Sequence, residues 1–524
     1  MKKMYDLSGF ENIPQIAPGP GGEPVLMVDG KPFLMIGGEL HNSASSSLKH
    51  MEQEVWPYLR PFRLNTVILP IAWETVEPEE GVFDFTLLEG LLQQARREHM
   101  KIVLLWFGLW KNGESFYVPS WVKEDAKRFF RAEYRGHIPS FTVSPLCREG
   151  VEADAKAFLK VIEYLRDHDS EDHTVVMVQV ENEIGFRFSE RDFSKAAQEV
   201  YAGEVPAEIA ELYGVSGNWK EALKENAPEY FMAYHYAKDI EYIASKGKEV
   251  YPLPMYVNAW LDHHPSRPGV FPTGGPEARI IPLWQKLAPS LDLIAPDIYE
   301  PNFKEICENY KVCENPLFIP EARRDPVTAS NALYAFGGLN ALGFSPFALE
   351  DFLREDIQNV SAEQLEDLKI ELNGFTCYGT ARYLLQSYKV LNGMLPLIAQ
   401  LRGTDRMIGF IRSNPDEKGC IISLKDFDLQ LDYIPAKAGH PGSAGFIIQA
   451  EKGIYITGCN VKFTPLPKVG SDTWLSVVRL EEGEFVDGKW EAGRVLNGDE
   501  MYQMSLEDMA QTKYLRMAVH EYED

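Results

Sequence analysis

Two carboxylates and an amide follow one short apolar segment of this chain. Residues 175–180 form a run, largely β-branched, that is long enough only for a buried strand, and Glu181, Asn182 and Glu183 follow it without a turn signal. A strand buried on both faces is typical of a parallel sheet covered by helices, and catalytic residues lie at the carboxyl ends of such strands in an α/β barrel. An Asn-Glu pair there suits sugar chemistry, because the Glu can protonate a glycosidic oxygen and the Asn can bind the neighbouring hydroxyl. The alternative is that the two glutamates only cap a strand or begin a helix.

A second carboxylate is needed as the nucleophile if Glu183 is the general acid of a retaining reaction. The apolar segment 316–320 ends in Glu321, and Arg323 and Arg324 come directly after it. We expect a neighbouring guanidinium to keep Glu321 ionised and a more apolar setting to keep Glu183 protonated. The alternative for Glu321 is an ordinary surface pair between Glu and Arg at a strand end.

Other predicted strand ends carry side chains that suit a sugar. Aromatic rings can pack against the C–H groups of a pyranose, while amides and carboxylates can exchange hydrogen bonds with its hydroxyls. Besides Asn182, the predicted substrate-binding residues are Glu39, Asn42, Trp73, Trp110, Asn112, Trp260 and Tyr299. A wider set adds Glu74, Trp106, Asn258 and Asp297. For each aromatic residue the alternative is packing in the core, which we prefer for Trp56 and Trp121 because they lie within helical patterns.

Apolar runs alternate with helical patterns over roughly the first 390 residues, and this order positions the candidate residues. The predicted strands are 32–38, 65–71, 101–107, 175–180, 255–260, 291–296, 316–320 and 343–349. Eight βα units predict a closed parallel (β/α)8 TIM barrel, with a helical insertion near 186–226 at its mouth. From about residue 393, short strands separated by Gly, Pro and Asp predict an all-β, sandwich-like domain packed directly on the barrel. We therefore divide the chain into a catalytic barrel, 1–392, and a C-terminal β domain, 393–524.

The composition restricts the class of partner. A formal net charge of −26 and a pI near 4.9 argue against nucleic acid or an anionic membrane, because both repel an acidic surface. The N-terminal lysines are not followed by the apolar region of a signal peptide, and the sequence has no stretch that approaches a membrane span. We therefore predict a cytoplasmic protein; whether it forms a homo-oligomer is left open.

Neither a metal nor a cofactor is predicted. The six cysteines are scattered without metal-site spacing and are expected to be buried, reduced thiols. His263 and His264 are adjacent and cannot both face one ion on a regular element. Gly274 and Gly275 lie in a loop that no Lys-Ser/Thr follows, so they do not predict a phosphate site.

Several segments together resemble a known family. Residues 178–185 resemble the Val-Gln-Val-Glu-Asn-Glu motif of the family 35 glycoside hydrolases, the β-galactosidases. Residues 29–41 are similar to that family's opening strand and Gly-x-x-His turn, and residues 65–85 resemble a segment shared by families 35 and 42. The resemblance covers roughly residues 25–350. The resemblance implies a retaining exo-β-glycosidase that acts on a glycoside or oligosaccharide, with β-galactosidase as the leading expectation. It also implies that Glu183 is the acid/base residue and Glu321 the nucleophile.

The third strand departs from this family's pattern. The family's Arg-Pro-Gly-Pro-Tyr and Ala-Glu-Trp segments, which carry contacts to substrate hydroxyls, are replaced here by residues 105–113. A β-glucosidase, a β-mannosidase or a transglycosylase on the same site therefore remains an alternative. A non-catalytic carbohydrate-binding barrel is an alternative from another class, against which both strand-end glutamates count. The C-terminal β domain resembles one attached to a divergent bacterial branch of the family.

Overall fold

The first part of the chain is a parallel eight-stranded barrel. The computed structural model describes residues 3–7, 9–262, 267–354 and 372–522. The barrel strands are Met35–Ile36, Thr66–Ala72, Lys101–Lys111, Val175–Asn182, Met255–Trp260, Leu293–Ile298, Ile319–Ala322 and Gly343–Pro346. The ring closes where the backbone N–H of Leu40 donates to the carbonyl of Ile68 and that of Ile68 donates to Gly38. The predicted (β/α)8 barrel is confirmed.

Helices cover the outside of the barrel because each presents an apolar face to it. In Thr86–Arg97, for example, Leu88, Leu91, Leu92 and Ala95 recur at spacings of three and four and are all buried. The other covering helices are Trp56–Leu59, Arg148–Asp169, Ala227–Lys248, Ile281–Leu287, Phe303–Tyr310, Val327–Gly337 and Ala381–Leu401.

Two insertions lie after the third and fourth barrel strands. The first contains the helix Ser120–Glu124 and a hairpin of Arg131–Tyr134 and Ile138–Val143. The second, within residues 186–226, contains the short helices Lys195–Tyr201, Ala207–Tyr213 and Trp219–Leu223. Sequence analysis missed the hairpin, because its strands are short and expose alternate residues instead of forming an apolar run.

The third barrel strand is longer than predicted and contains a wide bulge. Trp106 pairs with Val180 and Lys111 pairs with Asn182, so five steps along this strand match two along its neighbour. Gly108 lies inside the bulge, where a Cβ atom would collide with the indole nitrogen of Trp106. The bulge carries the strand beyond its predicted end at residue 107 and brings Lys111 to the mouth of the barrel.

A small antiparallel sheet lies at the amino end of the barrel. Its strands are Gln15–Pro18, Pro24–Val28 and Lys31–Phe33. Leu26 and Val28 from this sheet pack with barrel residues such as Met35 and Phe107 in one buried cluster. The single strand predicted over 32–38 is thus divided between this sheet and the barrel.

Two antiparallel sheets form the C-terminal part. One contains Met407–Ile411, Ala444–Ala450, Gly453–Cys459, Gln511–Glu521, Thr473–Val486 and Lys489–Val495. The other contains Gly419–Ser423, Asp428–Tyr433, Val461–Leu466 and Ser505–Leu506. Ile447 and Ile456 from the first sheet share a buried cluster with Leu431 and Phe463 from the second, as in a sandwich. The predicted all-β C-terminal part is confirmed.

The other face of the six-stranded sheet packs on the barrel. Alternation along Ala444–Ala450 places Phe446 and Ile448 in the same buried cluster as the barrel helices, while Ile447 faces the second sheet. Phe446 packs so closely on Gly337 of helix Val327–Gly337 that a Cβ atom there would collide with its ring. Helix Ala381–Leu401 spans the predicted boundary at residue 393 and also belongs to this core.

Within the residues that the structure describes, no helix is both long enough and apolar enough to span a membrane.

Phe446→Ala should lower the melting temperature of the barrel and the β sheets together. The ring is fully buried between the two parts, so its loss should destabilise the fold by about 3–5 kcal/mol. Differential scanning calorimetry should show one transition, displaced to lower temperature. Val469→Ala, at a site that is 96% exposed, is the matched control and should leave the transition in place. Two separate transitions, with only one displaced, would show that the parts fold independently.

Candidate active site

A pocket of about 250 Å³ opens at the carboxyl end of the barrel. Of the residues predicted from the sequence, its wall includes Asn42, Asn112, Glu183, Trp260, Tyr299 and Glu321. The wall also includes Asp297 from the wider predicted set, and His41, Lys111, Glu300, Phe347 and Phe375, which were not predicted. The pocket is therefore a mixture of aromatic rings, amides and carboxyl groups.

Three buried carboxyl groups meet in this pocket. Glu183, Asp297 and Glu321 each offer one oxygen atom, and these atoms all lie within 4.8 Å of one another. Asp297 and Glu321 are register partners on adjacent strands, which places their side chains on the same side of the sheet. The short spacing between Glu183 and Glu321 is that of two groups that can act on the same carbon atom.

The end of the fourth strand is held in an unusual backbone conformation. Glu181 and Glu183 have φ angles of 63° and 46°, in the left-handed region that residues other than Gly rarely adopt. The backbone N–H of Glu183 donates to the side chain of Asn258 at 2.8 Å. The amide of Asn112 donates to the Glu183 carboxylate at 2.7 Å. These contacts fix both the backbone and the carboxylate of Glu183.

Glu181 has a structural role that differs from that of Glu183. Its carboxylate accepts hydrogen bonds from the backbone N–H groups of Leu109 at 2.9 Å and Trp110 at 2.7 Å, both within the bulge. Burial, and then the charge of Asp154, raise the pKa of Glu181 well above its usual range. Glu181 therefore has the structural role that the sequence analysis gave as the alternative for both glutamates. It stabilises the bulge that carries Lys111 and Asn112.

Burial raises the pKa of Glu183, and the charge of Lys111 only partly opposes this effect. Burial also raises the pKa of Asp297 well above its usual range, followed by the charges of Glu321 and Glu183. Asn258 donates to one oxygen of Asp297 at 2.6 Å, and the other oxygen has no hydrogen-bond partner among the described residues. A protonated Asp297 can therefore share its proton with Glu183.

Glu321 lies inside its strand, one residue beyond the predicted end. The Tyr299 hydroxyl donates a hydrogen bond to its carboxylate. Burial and then the charge of Glu183 raise the pKa of Glu321 to about 7, against the opposing effects of Lys111 and Tyr299. Burial, together with the opposing charges of Glu183 and Lys111, therefore controls whether Glu321 is ionised near neutral pH.

The prediction that a neighbouring guanidinium ionises Glu321 is wrong. Arg323 donates to Asp325 at 2.6 Å, and Arg324 donates to Asp351 at 2.6 Å. Both arginines follow the end of the strand, and each is paired with a carboxylate other than Glu321. The cation that faces Glu321 comes from the third strand.

That cation is Lys111, which sequence analysis did not select. Its ammonium donates to the side-chain oxygen of Asn182 at 2.7 Å, and its charge lowers the pKa of Glu39, Glu183 and Glu321. The side-chain nitrogen of Asn182 is buried and has no hydrogen-bond partner in the described part of the chain. The departure at residues 105–113 was the signal that could have identified Lys111.

Glu39 lies at the seam of the barrel, where it bridges to Ile68 and Phe347. Burial and then the charge of Glu321 raise its pKa well above the usual range. A hydrogen bond from Glu39 in turn lowers the pKa of Glu321. Glu39 thus contacts the nucleophile candidate itself rather than the open part of the pocket.

Trp73 and Trp110 do not fit the prediction that they contact substrate. Both indoles are fully buried; Trp73 donates to Glu77 at 2.8 Å and Trp110 to the carbonyl of Val143 at 3.0 Å. Trp110 lies edge-on against Tyr236 of helix Ala227–Lys248, on the outside of the barrel. Adjacent strand residues face opposite sides, so Trp110 packs outward where Lys111 points into the pocket.

The same three carboxylates could hold a metal ion by their spacing. Asn112, Asn258 and Tyr299 already donate hydrogen bonds to them, and the ammonium of Lys111 supplies a positive charge. These groups can stabilise the carboxylates without a metal ion. The absence of a metal from the site stays a prediction.

Comparison with known proteins gives two family matches. Residues 25–264 match the family described as "Glycosyl hydrolases family 35". Residues 384–507 match a domain of unknown function, DUF5597. A search of curated proteins found no match. The first match identifies the chain as a glycoside hydrolase, so its substrate is a glycoside.

Several solved structures have some likeness to this chain. One is the catalytic domain of β-amylase from Paenibacillus polymyxa, with 9% sequence identity and a TM-score of 0.49. The match covers 65% of this chain and 98% of that chain. The β-galactosidase from Bacillus circulans sp. alkalophilus has 12% identity, 90% and 87% coverage, and a TM-score of 0.46. The β-galactosidase from Rahnella sp. R3 has 13% identity, 60% and 50% coverage, and a TM-score of 0.43. These likenesses are too low to bear on activity.

Lys111→Met should move the acidic limb of the kcat/KM profile to higher pH by about 1–3 units, the range for loss of one close opposite charge. The ammonium favours the ionised form of Glu321, whose pKa is about 7, so its removal should raise that pKa further. The profile is measured with a nitrophenyl glycoside. Lys123→Met, which removes a surface pair with Glu74, is the control and should leave the limb in place. A limb that stays in place in Lys111→Met would show that Lys111 does not control this ionisation.

Proposed function

We propose that this chain, a glycoside hydrolase whose residues 25–264 match family 35, is a retaining exo-β-glycosidase, with β-galactosidase as the first expectation. The observation that carries the proposal is the spacing of the two strand-end carboxylates. Oxygens of Glu183 and Glu321 lie within 4.8 Å of each other. Retaining enzymes hold this pair about 5–5.5 Å apart, whereas inverting enzymes need about 6.5–9.5 Å to admit a water molecule.

In the first step Glu183 donates its proton to the glycosidic oxygen while a carboxylate oxygen of Glu321 bonds to the anomeric carbon. The bond from that carbon to the leaving oxygen breaks, and the leaving group departs as an alcohol. In the second step Glu183 takes a proton from water, and the water oxygen displaces Glu321. Glu183 is then protonated and Glu321 ionised, as at the start.

The surroundings of each group support these roles. Burial raises the pKa of Glu183, which favours the protonated form that a general acid needs. Burial raises the pKa of Glu321 to about 7, and Lys111 and the Tyr299 hydroxyl oppose that rise, which favours the ionised form that a nucleophile needs. The unpartnered amide nitrogen of Asn182 is suited to donate to the hydroxyl next to the anomeric carbon.

The size and closure of the pocket support action at a chain end. Its volume of about 250 Å³ is below the range of about 300–1,000 Å³ for drug-sized ligands. Phe347 and Phe375 close one side, where Phe375 stacks on Tyr299 at 4.9 Å. A pocket of this form suits one terminal sugar rather than the interior of a polysaccharide.

The choice of galactose depends on the family match, and the altered third strand keeps glucose and mannose as alternatives on the same site. A panel of nitrophenyl β-glycosides separates them. A non-catalytic binding barrel is less well supported, because burying several carboxyl groups is costly and a binding site has no need of an acid and a nucleophile.

Glu183→Gln should slow glycosides with poor leaving groups far more than dinitrophenyl glycosides, because only the former need protonation. Removal of a general acid or base costs about 10²–10⁴-fold in rate. Azide should restore the second step and yield a β-glycosyl azide, which mass spectrometry detects. Equal losses for all leaving groups would remove Glu183 from this role, and an α-azide would contradict retention.

A 2-deoxy-2-fluoro glycoside should label Glu321 covalently, because the fluorine slows hydrolysis of the glycosyl-enzyme. Peptide mass spectrometry should find the label on Glu321 rather than on Glu314 or Glu350. Glu321→Ala should lose nearly all turnover and still fold, since its side chain faces the pocket. The exposed Glu314→Ala is the matched control and should keep its activity. A label on another carboxylate would contradict the assignment.

A further inference from the structure

Three phenylalanine rings are exposed on the insertions that follow the third and fourth barrel strands. Phe116 is 49% exposed, Phe141 68% and Phe188 64%. Both insertions leave the barrel at its carboxyl end, where the pocket opens. Several exposed apolar rings in one region indicate a binding surface more often than single ones do.

Phe188 is connected to the pocket through stacked side chains. Trp260 is part of the pocket wall, and the guanidinium of Arg187 lies 5.0 Å from the centre of its ring. The same guanidinium lies 4.5 Å from the centre of the Phe188 ring. Trp260, Arg187 and Phe188 are therefore connected by contacts that begin at the pocket wall and end at an exposed ring.

Phe116 and Phe141 both belong to the insertion after the third barrel strand. Their ring centres are 5.5 Å apart. The hairpin that carries Phe141 contacts the loop directly after the third barrel strand, because the Thr142 hydroxyl donates to the carbonyl of Gly113 at 2.7 Å. Glu114 of that loop lies 3.8 Å from Arg187, which links this pair of rings to the other set of contacts.

The backbone at Phe188 adds a second reason to regard its exposure as functional. Its φ angle is 61°, in the left-handed region, which is unfavourable for a bulky residue. Burial does not offset this cost, since most of the ring is in solvent. Gly or Asn would adopt this backbone more easily, so the ring itself must have a use.

We propose that Trp260, Arg187, Phe188, Phe116 and Phe141, called here the aromatic rim, bind the leaving-group side of the substrate. The inference rests on the proposed function and specifies its substrate class: a terminal sugar on an oligosaccharide with at least two further rings. Flat apolar rings suit the C–H faces of pyranoses, and a guanidinium between them can donate to hydroxyls. Continuity with the pocket favours a sugar chain over a protein partner.

Two substrates that share one scissile bond test the aromatic rim. After release of the terminal sugar, the leaving group is one sugar ring for β-1,4-linked galactobiose and three rings for galactotetraose. Cellobiose and cellotetraose replace these substrates if the enzyme prefers glucosides. The wild type should have a kcat/KM about tenfold higher on the longer substrate, as expected for two or three ring contacts. Phe188→Ser and the double variant F116S/F141S should each reduce this ratio severalfold. Tyr502→Ser, at a position 90% exposed in the C-terminal part, is the control and should keep the wild-type ratio.

The outcomes separate the two proposals. If the wild type hydrolyses none of the nitrophenyl β-glycosides, the proposed function fails. If it hydrolyses them but shows no preference for the longer oligosaccharide, or does not cleave it, the aromatic rim is not a sugar site. Variants that keep the wild-type ratio would also overturn the inference and would leave a protein contact as the use of these rings. Variants that lose activity equally on every substrate would indicate a structural role only.

Discussion

Four buried carboxyl groups around one buried ammonium impose the constraint on which this structure depends. Glu39, Glu183, Asp297 and Glu321 all influence one another's ionisation, and Lys111 lowers the pKa of three of them. Burying like charges this close is costly, so some of the carboxyl groups must hold protons. The site therefore keeps protons and negative charge side by side, which is the condition that acid catalysis and nucleophilic attack both require.

The barrel holds this arrangement by backbone devices rather than by the side chains alone. The bulge in the third strand brings Lys111 inward, and its freed N–H groups are satisfied by Glu181. The left-handed backbone at Glu181 and Glu183 then turns the fourth strand so that Glu183 faces Asn258. Strained conformations of this kind persist only where the surrounding structure fixes them, and they cluster at functional sites.

The helix that leads into the C-terminal part contributes to the same region. Tyr388, on helix Ala381–Leu401, donates its hydroxyl to the carbonyls of Gly37 at 2.8 Å and Phe344 at 3.2 Å. These carbonyls belong to the seam where the first and last barrel strands meet, and Gly37 lies two residues before Glu39. Because the six-stranded sheet packs on the same helices through Phe446, the β sheets brace the seam that carries one of the four carboxyl groups.

Local sequence determined the elements and the two principal carboxylates. Apolar runs of fixed length indicated the barrel strands, and Glu183 and Glu321 follow two of those runs, so their convergence at one edge could be predicted. The cation could not, because Lys111 reaches the pocket only through a bulge that depends on Glu181, some 70 residues away in the sequence. For the same reason Trp110 could not be distinguished from Lys111, since a bulge changes which side chains face inward. The order of the strands follows from local periodic patterns in the sequence. The partner of each charged group, and whether a side chain points into or out of the barrel, depend on contacts between distant segments, which only the tertiary structure supplies.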